Sequence, residues 1–190
     1  MRKIHVAMIA LVVAACDGGS QPPPGQEPLR PSRPQVAENE VVLSSEGLTV
    51  GSESFYFAAG QNEVERKLSS ILGAPQNEAT NPDCGQGTMD FTGYRGGLTV
   101  NFRNGALVGW EHAARAHGNR GGGGEVRVAG DIALGMARAE AAAVEGFQPL
   151  DKTALGDEFA LGERMGGFIT QDRVSIVYAG ATCFFRQAPA

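Results

Sequence analysis

The chain has 190 residues and a formal net charge of −5 at pH 7, from 16 Lys and Arg against 21 Asp and Glu. An acidic chain without a basic cluster argues against binding of nucleic acid and against electrostatic attraction to anionic lipid. From about residue 41 onward, the chain has the length of one domain or of two small halves that share a core.

The N-terminus, residues 1–15, has the layout of a secretory signal. A charged start, residues 1–3, precedes an apolar run over residues 4–13, and the small residues Ala14 and Ala15 follow. The apolar run would form about 15 Å of helix, roughly half of a hydrocarbon core, which disfavours a permanent transmembrane helix. We therefore predict that residues 1–15 are a signal peptide that is removed.

The four residues Val13-Ala14-Ala15-Cys16 resemble the lipobox of bacterial lipoproteins. The resemblance implies that the Cys16 thiol receives a diacylglycerol, that cleavage occurs before Cys16, and that the new amine is acylated, for example with palmitate. Two or three acyl chains anchor a protein stably, whereas one chain binds only marginally. The alternative is an ordinary secretory peptide with a chance cysteine.

The lipobox resemblance predicts a protein of the cell envelope that faces the periplasm. Asp17 resembles the signal that retains enterobacterial lipoproteins in the inner membrane, but the choice between inner and outer membrane stays open. Removal of Arg2 and Lys3 with the signal lowers the formal charge from −5 to −7. The mature protein is therefore expected to depend on its lipid for membrane attachment.

Residues 16–40 are rich in Pro, Gly and Gln and nearly free of large apolar side chains. Such a segment cannot bury enough surface to offset its ordering entropy, and its prolines favour extended polyproline II at about 3.1 Å per residue. We interpret it as a tether that holds the domain away from the bilayer. A recognition peptide is the alternative.

The strongest helical pattern of the domain, residues 41–190, lies in its first half, about residues 41–117. Residues 61–75 carry an apolar stripe on one helical face, formed by Val64, Leu68, Ile71 and Leu72. Asn62 is the candidate N-cap, and Gly73 ends the pattern. Alternating residues 98–102, Asn104-Gly105 and residues 106–110 then predict a β-hairpin, with residues 91–94 as a third strand.

The second half, about residues 125–190, repeats this order more weakly. A helix is predicted near residues 137–145, and strands near residues 168–170 and 174–178. A glycine-rich connector, residues 118–124, joins the halves. The predicted fold class is therefore α+β, with two tandem units of one helix and three antiparallel strands that share a core.

The two halves resemble the small periplasmic modules of the BamE (SmpA/OmlA) lipoproteins and of the β-lactamase inhibitor protein. Residues 130–136, Gly-Asp-Ile-Ala-Leu-Gly-Met, are similar to the lead into the helix of that module, and residues 72–75, Leu-Gly-Ala-Pro, to its helix exit. Residues 59–61 and 146–147 depart from the corresponding motifs. The resemblance implies an α+β module that binds other proteins through its exposed sheet face and loops.

The mature chain keeps two cysteines besides Cys16, namely Cys84 and Cys183. An even count in an oxidising compartment predicts a disulfide between them. Two unpaired buried thiols are the alternative.

No pattern in the chain indicates catalysis, a metal or a cofactor. His112 and His117 are five residues apart, which does not suit a helical zinc pair, and are interpreted as loop histidines without a role. Residues 118–124 lack the Gly-Lys-Ser/Thr of a phosphate loop. A group of acidic residues lacks the spacing of a calcium loop and is interpreted as solvated turns: Asp151, Asp157, Glu158 and Glu163.

A sheet covered by a helix on one face leaves the other face for the core or for a partner. Most aromatic side chains are assigned to the core, and Tyr94 and Trp110 are the first candidates for a binding face. The leading hypothesis is a non-enzymatic binding or scaffolding module that meets an envelope protein through its sheet face and the loop of residues 112–125. The alternative is an envelope enzyme or small-ligand binder with a site between the halves.

Overall fold

The computed structural model of the protein describes residues 36–85, 87–114 and 124–184. The chain divides into two units, Met1–Pro34 and Gln35–Ala190, and every element below belongs to the second. In the described part of the chain, no helix is both long enough and apolar enough to cross a membrane.

Several predictions made from the sequence fall outside the described residues. These are the signal peptide, the lipid site Cys16, its neighbour Asp17 and the tether up to residue 35. His117 and most of the glycine-rich connector are outside them as well.

The described chain is mostly β. Its elements are, in order, β1 (Glu40–Ser44), β2 (Gly47–Val50), β3 (Glu53–Tyr56), α1 (Gln61–Leu72), β4 (Asn77–Asn81), β5 (Met89–Gly93), a 3₁₀ turn (Arg95–Gly97), β6 (Leu98–Arg103), β7 (Ala106–Ala113), β8 (Glu125–Val128), α2 (Arg138–Ala141), β9 (Phe147–Thr153), β10 (Gly156–Leu161), β11 (Met165–Thr170) and β12 (Arg173–Gly180).

These strands form two sheets. The smaller sheet has the order β3-β2-β1-β8, in which β8 runs parallel to β1 and the other pairs are antiparallel. The larger sheet has eight antiparallel strands in the order β4-β5-β6-β7-β12-β11-β10-β9. Each half of the chain thus contributes four consecutive strands to the larger sheet, and the halves meet where β7 pairs with β12.

The helix predicted over residues 61–75 is confirmed as α1, and its apolar stripe buries Val64, Leu68 and Leu72. The N-cap position is Gly60 rather than the predicted Asn62, and no side chain caps the helix. At the other end Gly73 adopts φ 82°, a conformation that glycine permits and that ends the helix.

The predicted hairpin is confirmed as β6 and β7. Asn104 and Gly105 have φ angles of 52° and 75°, the positive values that a type I′ turn requires at both central positions. The Asn-Gly pair therefore determines where the chain reverses between these two strands.

The predicted α+β class, with two units of one helix and three strands, is wrong. The second helix, α2, has only four residues, because Gly146 with φ 81° and Pro149 follow closely and the segment between them continues as strand β9. A separate four-stranded sheet was not predicted at all. Its strand β8 belongs to the predicted second half of the chain but pairs with β1 of the first half.

The core lies between the two sheets and under α1. Its largest fully buried side chains come from the larger sheet and the turn beside it, and they include Trp110, Tyr94, Phe102 and Phe159. The Trp110 indole Nε1 donates a hydrogen bond of 2.9 Å to the Ser44 carbonyl at the end of β1. This bond ties the larger sheet to the smaller one.

Candidate binding groove

An open cleft of about 490 Å³ lies between β3 and the start of α1. Its walls are residues 53–59, which form β3 and the turn after it, and Glu63 of the first helical turn. Tyr56 is 62% exposed at this cleft, whereas its neighbour Phe55 is 5% exposed and belongs to the core. The alternation of a strand therefore places one aromatic ring in the core and the next one in solvent.

A second cleft, of about 410 Å³, shares Phe57 with the first. Its other walls are Glu163, Arg164, Met165, Tyr178 and Gly180. Gly180 has φ 72°, and a Cβ there would lie 2.3 Å from the Val108 carbonyl oxygen and 2.8 Å from Cζ of Phe57, so that a side chain at this position would clash with both. We call the two clefts together the edge groove.

The wall that β3 contributes is a strand edge. The Phe57 amide donates to the Glu46 carbonyl at 2.9 Å, and among the strands of the described residues β3 pairs with β2 alone. Because antiparallel pairs alternate, the N–H and C=O groups of Ser54 and Tyr56 then face away from β2. The Tyr56 carbonyl accepts from the Ala59 amide at 2.9 Å. The Ser54 N–H, the Ser54 C=O and the Tyr56 N–H remain at the edge.

Acidic side chains prevail along the edge groove. Glu53 pairs with Lys67 of α1 at 2.6 Å, while Glu63 and Glu163 form no ion pair with any described residue. Arg164 is the single cationic residue among those that line the two clefts. The groove therefore favours positively charged groups.

The face of the larger sheet opposite the core, the outer face, carries an aromatic and acidic cluster. The Tyr178 hydroxyl donates to Glu158 Oε1 at 2.7 Å, and Glu158 is 6% exposed. Gly166 allows this, because a Cβ there would stand 2.5 Å from the Tyr178 hydroxyl oxygen. Phe184 packs edge-on against Phe168 and Tyr178, with ring centroids 5.1 and 5.2 Å away.

Near the junction of the halves, residues 181–184 approach the same face. Asn101 Nδ2 donates to the Ala181 carbonyl at 2.9 Å and to Glu111 Oε1 at 3.3 Å. Burial raises the pKa of the Glu111 carboxyl, and the hydrogen bond from Asn101 opposes this shift. Gly109 permits the close approach, since a Cβ there would lie 2.2 Å from the Ala181 carbonyl oxygen.

His112, predicted to lie in a loop, is a strand residue of β7. Its Nε2 lies 3.0 Å from the Gly96 carbonyl, to which a neutral ring donates, and burial lowers the pKa of the imidazole. Its Nδ1 is buried without a hydrogen-bond partner in the described structure. The described residues contain no group of three or more His, Cys, Asp or Glu side chains that could hold a metal ion.

Two of the acidic residues interpreted as solvated turns, Asp157 and Glu158, have defined partners instead. Asp157 forms an ion pair with Arg138 at the start of α2, and Arg138 Nε also donates to Asp172 Oδ1 at 2.9 Å. The hydrogen bond that Arg138 donates to Asp157 lowers the pKa of the Asp157 carboxyl. Glu158 is buried against Tyr178. Glu163 is an exposed turn residue, in the edge groove.

The two residues proposed for a binding face lie in the core. Trp110 and Tyr94 are both 0% exposed. Tyr94 packs under α1, where its hydroxyl donates to the Glu65 carbonyl at 3.3 Å, and burial raises the pKa of its phenol. The physical reason is that the smaller sheet, which was not predicted, and α1 cover the face on which these rings stand.

Cys84 and Cys183 are close together, with Cα atoms 5.4 Å apart, a separation that suits a disulfide. Cys84 follows β4 and is buried, and Cys183 belongs to the segment that follows β12. The pair links the connection between β4 and β5, in the first half, to the segment that follows β12, in the second half.

The edge groove was not predicted from the sequence. The short run Glu-Ser-Phe-Tyr-Phe, residues 53–57, follows a Gly51-Ser52 turn and carries three aromatic rings, which was a usable strand signal. Its edge position was not readable, because it depends on which strands pair with which.

No protein-family model, no curated protein and no solved structure matches this chain.

Proposed function

We propose that the protein is a membrane-anchored lipoprotein of the bacterial cell envelope that acts as a non-enzymatic protein-binding module. Residues 1–15 are its signal peptide, Cys16 carries the lipid, and the following residues up to about 40 tether the folded domain. The edge groove holds a segment of another envelope protein.

The observation that supports binding is the combination of an open groove, a strand edge and an exposed aromatic ring at one place. Tyr56 stands 62% exposed beside clefts of about 490 and 410 Å³ that share Phe57. Aromatic residues are enriched at the energetic centres of protein interfaces, and extended peptides add to exposed strand edges.

Photo-crosslinking in intact cells tests the binding site. A photo-reactive phenylalanine analogue replaces Tyr56 in the full-length protein, and the matched control carries it at Leu150, which is 50% exposed on β9, at the far end of the larger sheet. We expect a discrete adduct, identified by mass spectrometry, from position 56 and not from position 150. The same adducts from both positions, or none from position 56, would count against the groove.

The anchor is tested separately with Cys16→Ser. This variant should lose incorporation of labelled palmitate and should leave the membrane fraction or accumulate uncleaved, while the circular dichroism of the purified domain stays unchanged. Retention of the label in the variant would refute Cys16 as the lipid site.

A further inference from the structure

We infer that the edge groove recognises an extended, basic segment of its partner by adding it as a fifth strand to the smaller sheet, next to β3. The inference rests on the proposed binding function and specifies the partner's conformation and charge.

The backbone of β3 offers the required hydrogen-bonding groups. The Ser54 N–H, the Ser54 C=O and the Tyr56 N–H face away from β2, and the Phe57 amide is already used by Glu46. Three groups suit a short strand of about three residues. Ser54 keeps its side chain on the solvent side, where its hydroxyl lies 3.1 Å from that of Thr49.

The charges of the groove select the side chains of the added strand. Glu53 lies on the core side of β3, since it pairs with Lys67 of the underlying helix, and Glu63 stands across the cleft on α1. Side chains of an added strand that point toward the core side would meet the Glu63 carboxylate, which has no ion-pair partner among the described residues, and the Glu53–Lys67 ion pair beside it. Lys or Arg at alternate positions fits them, and Asp or Glu is repelled.

The other edges of the two sheets are less suited to strand addition. β4 reads Asn-Glu-Ala-Thr-Asn and has no apolar side chain larger than Ala. β9 contains Pro149, which cannot donate a hydrogen bond, and Lys152. β8 carries Arg127, which forms an ion pair with Glu40. Proline and cationic residues are the usual means of protecting an edge, and β3 has neither.

A second copy of the chain fits the edge less well than a basic partner. Two β3 edges paired with each other would bring two acidic grooves together, in a protein with a formal net charge of −5. A basic extended segment gains charge attraction as well as backbone hydrogen bonds.

Three ten-residue peptides test the inference on the mature chain in detergent. One alternates Lys and Val, one alternates Glu and Val, and the third is the Lys-Val peptide with N-methyl groups on alternate backbone nitrogens, prepared in both registers. We expect the Lys-Val peptide to bind at least about tenfold more tightly at low salt, in fluorescence anisotropy, than the Glu-Val peptide and than the N-methylated peptide whose methyl groups block the amides that face β3. The N-methylated peptide of the other register keeps those amides and should bind nearly as well as the Lys-Val peptide. If both N-methylated registers bind as tightly as the unmethylated Lys-Val peptide, strand addition is overturned.

Variants of the protein locate the effect. Glu63→Lys should remove most of the preference for Lys over Glu, whereas Glu145→Lys, which makes the same charge change at an exposed position after α2, should not. Ser54→Pro, which removes the edge N–H, should weaken binding about fivefold relative to Ser54→Ala, which keeps it.

The outcomes separate this inference from the proposed function. If Tyr56 crosslinks to a partner but the Lys-Val peptide does not bind, the binding module stands and strand addition fails. If a concentration-dependent dimer that Ser54→Pro abolishes is found by analytical ultracentrifugation, the occupant is a second copy and the basic partner is refuted. If position 56 captures nothing, the proposed function itself fails.

Discussion

The two halves of the larger sheet are covered in different ways. Over the first half, α1 has twelve residues and buries Val64, Leu68 and Leu72. Over the second, α2 has four residues and buries only Ala141, and its Arg138 is held at the surface by Asp157 and Asp172. The first half is therefore covered by one face of a helix, whereas the segment around α2 combines buried apolar side chains outside the helix, such as Ile132, with ion pairs at the surface.

The largest effect should come from breaking the covalent link between the halves. Cys84 and Cys183 are 99 residues apart in sequence, and closing such a loop restricts the unfolded chain by about 4 kcal/mol in the chain-entropy model. Cys84→Ser with Cys183→Ser should lower the free energy of unfolding by about that amount, as measured by urea denaturation.

The link itself is checked by intact mass after thiol alkylation of the protein taken from the envelope. Cys84 and Cys183 should be protected together until reductant is added. Labelling of both without reductant would show that the two thiols are free and would remove the basis of the stability prediction.

The second prediction compares the two coverings directly. Leu68→Ala truncates a fully buried side chain of α1 and should lower the free energy of unfolding by about 3 kcal/mol. Val144→Ala, at a partly buried position just after α2, should cost about 1 kcal/mol. If both variants lose the same free energy of unfolding in urea denaturation, the two halves are stabilised alike.

The same contrast explains what could be predicted from the sequence. The stripe of α1 and the Asn104-Gly105 turn are local signals, since a helix face and a type I′ turn depend on residues within a few positions. The segment around α2 has no comparable stripe, and its contacts are with residues distant in sequence: Arg138 donates to Asp172 through its amide and its side chain, and the Met136 carbonyl accepts from the Val174 amide. Contacts of this kind leave no periodic pattern.

Strand pairing accounts for the remaining errors. The polar strand β4 lacks alternation, β9 contains Pro149, and β8 finds its partner in β1, far away along the chain. Without the smaller sheet, the side of the larger sheet that carries Trp110 and Tyr94 could be taken for a free face. The edge groove is formed by a strand of that unpredicted sheet, and so its position could not be predicted from the sequence.

The third prediction concerns the contact between the two sheets in the first half. Trp110→Phe keeps a buried aromatic ring but deletes the Nε1–H that binds the Ser44 carbonyl at 2.9 Å. Losing this bond and part of the ring volume should lower the free energy of unfolding by about 2 kcal/mol. An unchanged midpoint in urea would show that the indole N–H does not stabilise the contact between the sheets.

The smallest expected effect is a pH dependence from two neighbours on β7, next to the junction of the halves. Glu111 points to the outer face, and its pKa is raised. Its carboxyl therefore binds a proton more readily in the folded protein than in the unfolded chain. Its contribution to stability is therefore present below the unfolded pKa, near 4.5, and is lost as the pH rises through the folded pKa.

His112 acts in the opposite sense on the core side of the same strand. Its pKa is lowered from 6.5, so its contribution is present above pH 6.5 and is lost as the pH falls through the folded value. Urea denaturation across this range should show that Glu111→Gln stabilises the protein at higher pH and His112→Gln flattens the decline on the acidic side. Because Gln can keep the hydrogen bond from Asn101, parallel pH curves for wild type and Glu111→Gln would mean that the Glu111 carboxyl is hydrated rather than buried at the junction.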